Sequence, residues 1–306
     1  MNALRIAAML LGGLAACGSS GAGLGGAAAG GEGATGGEAT GGDGPTGGNG
    51  AGGSTEGLSI GFDGVQAFDA EVADNAEANA RIRQARVFFG HQSIGANTLE
   101  GMAALGFAAP WVHWDFPESA DYNGGAYFGQ EYVGQNGDPK GKAAAFRSFM
   151  IDAGYGGRVE IAGMKVCFVD FDDDGAGPAV GDAAEMQALE QAYAAAVSDV
   201  REAYPSVRLF HVTPPLVAAD YWSVSRNGAR VELGDWIQAT YGGVDVVFDL
   251  QDVESTDPAT GQRCVAGGQW ALCDVNAAED GAHLSLAGSE RVAKAFLVML
   301  ARITQE

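Results

Sequence analysis

The sequence predicts an α/β protein, with a mainly parallel sheet of five strands covered by helices on both faces. Two observations carry this. Short apolar runs alternate with helix-patterned stretches from about residue 86 to the C-terminus, the order that gives a parallel sheet between helical layers. The run Met164-Lys165-Val166-Cys167-Phe168-Val169-Asp170-Phe171 is nearly continuous in apolar residues, as a strand buried on both faces must be.

In order, the predicted strands lie at residues 86–89, 111–114, 164–171, 207–212 and 244–250. The first runs into the turn Gly90-His91-Gln92-Ser93, and a helix over residues 95–105 follows. A long polar loop leads to a helix over residues 139–153, opened by Pro139 as helix starts allow. The Ala-rich helix over residues 183–203 stops before Pro205, and the fourth strand stops at Pro214-Pro215. Residues 286–303 form the closing helix. In sheets of this kind ligands bind beyond the carboxyl ends of the strands, which is where Ser93 falls.

Ahead of this domain, set at residues 58–306, lie two other segments. Residues 1–17 carry Arg5, the apolar run Ile6-Ala7-Ala8-Met9-Leu10-Leu11 and the end Leu14-Ala15-Ala16-Cys17. The run is too short to span a bilayer, so the segment reads as a cleaved secretory signal. Leu-Ala-Ala-Cys resembles the bacterial lipobox, which implies acylation of Cys17 and a membrane partner reached through the acyl chains. The expected location is the bacterial cell envelope, lipid-anchored and facing the periplasm or the exterior. Residues 18–57 are nearly half glycine, with Thr-Gly-Gly at Thr35, Thr40 and Thr46. Nothing apolar there repays the entropy of ordering, so the segment reads as a disordered tether reaching roughly 35 Å.

Charge narrows the partners. The net charge is −22 with only 17 Lys and Arg and no basic run, which argues against nucleic acid. Cys264 and Cys273 flank Gly267-Gly268 and could close a small disulfide ring, as an oxidising compartment favours. Cys167, inside an apolar strand, reads as a packed free thiol. Spacing gives no zinc site and Asp172-Asp173-Asp174-Gly175 lacks an EF-hand pattern, so that acidic run reads as a solvated loop and no metal or cofactor is expected.

Three residues carry the chemistry. Asp280-Gly281-Ala282-His283 sets a carboxylate three residues before a histidine, and Gly90-His91-Gln92-Ser93-Ile94-Gly95 supplies a serine. A serine hydroxyl is a weak nucleophile until an imidazole takes its proton, and the imidazole needs a carboxylate to fix its tautomer. Ser93, Asp280 and His283 together read as a serine esterase triad. The bland alternatives are Ser93 as a helix cap, Asp280 as the cap of the last helix and His283 as a surface residue. His91 could line the pocket, hydrogen-bond the turn or bind substrate, whereas His113 and His211 read as strand residues. Trp111, Trp114, Tyr127, Phe128 and Tyr132 could form a sugar-stacking wall or pack in the core.

On these two blocks the domain resembles the SGNH (GDSL-type) hydrolases, three-layer flavodoxin-like esterases and lipases. Gly90-His91-Gln92-Ser93 stands for the family's Gly-Asp-Ser with one extra residue, and Asp280 and His283 match its Asp-x-x-His, followed by Leu284 and Gly288. The middle blocks depart from it. The family's Gly-x-Asn-Asp after the third strand is absent, and Val169-Asp170-Phe171-Asp172-Asp173-Asp174 offers acids that would repel an oxyanion. The oxyanion donors then fall to the Ser93 N–H with Gly134 and Asn136 of Gly134-Gln135-Asn136-Gly137, Asn97 being next in line. The loop could equally be a turn chosen for its φ angles. The resemblance implies an acyl-enzyme hydrolase of an acylated small molecule or polysaccharide. The alternative is an inactive glycan-binding or envelope scaffold protein on the same fold.

Overall fold

The computed structural model describes residues 58–108, 112–113, 125–172 and 182–305. The expected signal segment with Cys17, the expected tether, Trp111, Trp114, Asp173 and Asp174 lie outside the described residues. The chain divides into Met1–Gly52 and Gly53–Glu306, and every described residue belongs to the second unit.

The architecture is α/β with a parallel sheet of seven strands in the order β1-β7-β6-β5-β2-β4-β3. The strands are β1 (Leu58–Ile60), β2 (Arg86–His91), β3 (Val112–His113), β4 (Tyr127–Tyr132), β5 (Ile161–Met164), β6 (Arg208–Val212) and β7 (Val246–Phe248). Two of them, β1 and β4, exceed the five expected. The third expected strand, over residues 164–171, is displaced. Here β5 ends at Met164, its last ladder bond running from Lys165 N–H to Gly90 O. Beyond it Phe168–Phe171 coils into a 3₁₀ turn closed by the Asp170 carboxylate on Cys167 N–H.

Helices cover both faces. They are α1 (Phe62–Phe68), α2 (Ala76–Gln84), α3 (Ser93–Ala104), α4 (Pro139–Ile151), α5 (Ala183–Ala203), α6 (Asn227–Tyr241), α7 (Leu250–Ser255) and α8 (Leu286–Ile303). Their starts follow local chemistry. Asp182 accepts from Ala184 and Glu185 N–H ahead of α5, Asp138 accepts from Gly141 N–H ahead of α4, and Ser285 accepts from Gly288 N–H ahead of α8. Each cap satisfies donors that the first helical turn would otherwise leave unpaired.

Strand alternation divides the core into two layers. Phe89, Phe128, Phe210 and Phe248 point to the α3 and α8 face, where Phe296 of α8 lies 5.3–6.2 Å from all four rings. Phe88, Ala162, Leu209 and Val247 point to the opposite face, against Phe146 of α4, Leu189 and Tyr193 of α5, and Leu233 and Ile237 of α6. Gly163 of β5 is glycine for room, since a Cβ there would lie 2.4 Å from the Phe210 ring. A hairpin of β8 (Val265–Ala266) and β9 (Gln269–Trp270) is closed by the Cys264–Cys273 disulfide. Among the described residues no helix is long and apolar enough to cross a membrane.

Candidate active site

β2 delivers the Ser93 turn at the carboxyl edge of the sheet. Gly90 is required by crowding, because a Cβ would sit 2.6 Å from Val133 Cγ1. Gln92 is extended and is itself the N-cap of α3, so Ser93 is the first helical residue rather than the cap. The Gln92 side chain does not cap the helix. Its Nε2 donates to the Val133 and Gly134 carbonyls, both at 3.0 Å, and so ties the Ser93 turn to the loop after β4. Ser93 is half-buried, and its Oγ contacts Cys167 Sγ at 4.0 Å. Its main-chain N–H has no acceptor among the described residues.

The histidine arm is assembled by a tight turn. Gly281 has φ +70°, a left-handed conformation that suits glycine. The turn lets Asp280 Oδ1 accept the Ala282 and His283 N–H groups at 3.0 and 2.9 Å while Oδ2 faces His283 Nδ1 at 2.5 Å. Partial burial pushes the Asp280 pKa up, but the two N–H bonds and the imidazole outweigh it and hold the carboxyl below its ordinary value. Asp280 is thus committed to His283 and does not cap α8, a task that Ser285 performs. The carboxylate can only accept, so Nδ1 carries a proton. The imidazole stands edge-on to Phe168, 5.5 Å between centroids.

Two links bring the arms to one place. Cys167 touches Ser93 while its neighbour Phe168 touches His283. Asn97, one helical turn beyond Ser93, accepts the Leu284 N–H at 3.3 Å. No hydrogen bond joins Ser93 Oγ to His283 among the described residues. Asn97 Oδ1 is taken by the Leu284 N–H, and one Nδ2 hydrogen goes to Glu100 Oε2 at 3.3 Å.

Asn136 stands differently. Its Oδ1 accepts from Lys142 Nζ at 3.1 Å. An ammonium only donates, so this contact fixes the amide orientation and leaves Nδ2 as a donor with no acceptor among the described residues. Gly134 has φ +59°, its N–H is unengaged among the described residues, and its carbonyl is held by Gln92. Gly137 N–H is already used, on Asp170 Oδ1 at 2.9 Å.

Of the acidic run expected as a solvated loop, Asp172 is the described member, and it is buried. Asp170 is fully buried, pairs with Lys142 Nζ at 2.5 Å and accepts the Gly137 and Cys167 N–H groups. Asp172 is buried and pairs with Arg230 Nη2 at 2.5 Å, with Ser223 alongside. Neither is a bare charge aimed at an oxyanion. Sequence reasoning missed Lys142, Arg230 and Gln130; a carboxylate inside an apolar run, which demands a buried cation, was the available signal. Tyr127 and Phe128 are buried strand residues rather than a stacking wall, whereas Tyr132 is exposed. His113 lies in β3. His211 in β6 is buried between Tyr193 and Asp245. Among the described residues no cluster of His, Cys, Asp or Glu could hold a metal.

Neither a family model nor a curated protein matches this chain. Among solved structures it is similar to an acetyl esterase with acetate ion, at 11% identity over 72% of this chain and 98% of that one, TM-score 0.43. It is also similar to a carbohydrate esterase family 3 protein from Talaromyces cellulolyticus, at 13% identity over 72% and 98%, TM-score 0.41.

Proposed function

We propose that this chain is a serine ester hydrolase. The observation that carries the reading is the Asp280–His283 pair, at 2.5 Å, linked through Cys167, Phe168 and Asn97 to a serine whose main-chain N–H is unengaged among the described residues. Ser93 Oγ attacks the ester carbonyl as His283 Nε2 takes its proton. The tetrahedral oxyanion collapses to an acyl-serine, and His283 returns the proton to the leaving alcohol. Water then attacks the acyl-serine with His283 as base, releasing the carboxylic acid and restoring Ser93. Asp280 stabilises the charged imidazole, and the Ser93 N–H with the Asn136 amide, supported by Gly134, receives the oxyanion. Ser93 Oγ, 4.0 Å from Cys167 Sγ without substrate, must come within hydrogen-bond reach of Nε2 in the substrate complex. The proposed substrates are acylated small molecules or polysaccharides, met at a bacterial envelope to which Cys17 is acyl-anchored.

The missing Ser93–His283 hydrogen bond favours a second reading, a silent glycan-binding or scaffold protein. A fluorophosphonate probe separates the two. The esterase reading expects labelling at Ser93, cleavage of p-nitrophenyl acetate, and loss of both in Ser93→Ala and His283→Ala. Absence of labelling in the folded wild-type protein, or hydrolysis surviving in Ser93→Ala, sinks it.

A further inference from the structure

The nucleophile turn contains a fully buried histidine that the acyl-transfer scheme leaves unused. The two ring nitrogens of His91 have different partners. Nδ1 lies 2.9 Å from the Gln92 carbonyl oxygen. That oxygen can only accept, so Nδ1 carries a proton. Nε2 contacts the side-chain oxygen, Oε1, of Gln130 on β4. Burial is the largest influence on the ring and lowers its pKa to about 4, against the Gln92 and Gln130 contacts, while Lys165 adds repulsion. The ring is therefore neutral at neutral pH, and its bare Nε2 needs a donor.

With Oε1 on the ring, two acceptors meet and the buried Gln130 NH₂ has no partner. Exchanging the amide's O and N, which pack almost alike, resolves both and removes the one Gln130 contact that favoured a charged ring. Packing fixes the ring as well. A Cβ on Gly95 would lie 2.3 Å from it, which accounts for glycine at that point of α3. Tyr132 closes the other side edge-on, 5.5 Å between centroids.

The Gln92 carbonyl and the Ser93 N–H belong to one planar peptide, so holding the oxygen sets the direction of the N–H. Gly95 N–H reaches the same oxygen at 2.7 Å from the helix side. Donation to the carbonyl also polarises the N–H at the far side of the peptide. We propose that His91, as the neutral Nδ1–H imidazole with the Gln130 amide donating to Nε2, is a positioning residue that aims the Ser93 N–H at the developing oxyanion. This role rests on Ser93 being the nucleophile.

The test compares the wild type with His91→Leu and His91→Asn in the full chain, after thermal melting shows each is folded. Asparagine can place an amide N–H where Nδ1 lies, and leucine cannot. His91→Leu is expected to lower both kcat for p-nitrophenyl acetate and the fluorophosphonate rate roughly 10-fold with KM nearly unchanged, and His91→Asn to recover most of it. An unchanged kcat in His91→Leu, or an asparagine variant no better than leucine, overturns the proposal. Should His91→Leu not fold, ¹⁵N NMR of wild-type histidines decides, because the proposal requires Nδ1 protonated and Nε2 bare at neutral pH. An imidazolium or an Nε2–H tautomer overturns it. A wild-type Ser93 that ignores the probe brings down the esterase reading and the positioning role together, whereas an NMR contradiction with a reactive Ser93 brings down only the latter.

Discussion

Asn97 joins the two halves of the candidate site, because it rides on the helix that begins with Ser93 and accepts the N–H next to His283. Removing the side chain frees the Asp280–His283 turn without altering Ser93 or His283. Asn97→Ala should therefore lower kcat about 10-fold, the value of one hydrogen bond, with KM unchanged in steady-state assays. A pure KM effect would instead place Asn97 at the substrate. Asn136 carries a larger burden. If its amide receives the oxyanion, Asn136→Ala lowers kcat roughly 10²-fold, with the Ser93 N–H supplying what remains. Its orienting partner Lys142 is also the buried counter-ion of Asp170. Lys142→Met would strand that carboxylate and should destabilise the fold by about 3–5 kcal/mol in chemical denaturation. A stable Lys142→Met protein would contradict the buried pair.

At the scale of elements, α8 shows what one side chain can hold. Phe296 meets rings from β2, β4, β6 and β7. Phe296→Ala should cost about 3–5 kcal/mol, read as a lowered denaturant midpoint with the m-value retained. The spans of the closing helix and of α5 were legible in the sequence, α5 from an Ala-rich run that stops before Pro205, although the caps Ser285 and Asp182 were not. β4 was not. Tyr-Phe-Gly-Gln-Glu-Tyr has a polar centre, and Gln130 is buried only because the His91 side chain of the neighbouring strand needs a partner. A requirement set by another strand leaves no local signal. The same applies to β1, three residues long, whose place comes from pairing with β7. Within the site, the Asp280–His283 pairing could be read from its spacing. The links through Cys167, Phe168 and Asn97 could not, because they depend on where β5 ends.

Across the whole molecule, buried ionisable groups make stability depend on pH in opposing directions. His91 is held neutral, with its pKa lowered to about 4 from 6.5. Below pH 6.5 the unfolded chain binds the extra proton, so this contribution is full above 6.5 and is lost as pH falls toward 4. Glu254 behaves in reverse. Burial is the main cause and raises its pKa from 4.5 to about 8, against the Leu216 N–H, Lys165 and Arg230. Between those values the folded chain keeps a proton that the unfolded chain releases. The contribution is therefore full below pH 4.5 and is lost as pH rises through 8. Glu254→Gln keeps an acceptor for the Leu216 N–H, bonded at 2.8 Å in the wild type, and cannot ionise. The difference in unfolding free energy between wild type and Glu254→Gln should thus shift by about 1.4 kcal/mol per pH unit from pH 5 to 7.5, the wild type losing ground as pH rises. Urea titrations of both proteins at several pH values measure this slope directly. A difference independent of pH would mean that Glu254 is ionised in the folded state, with Lys165 and Arg230 outweighing its burial.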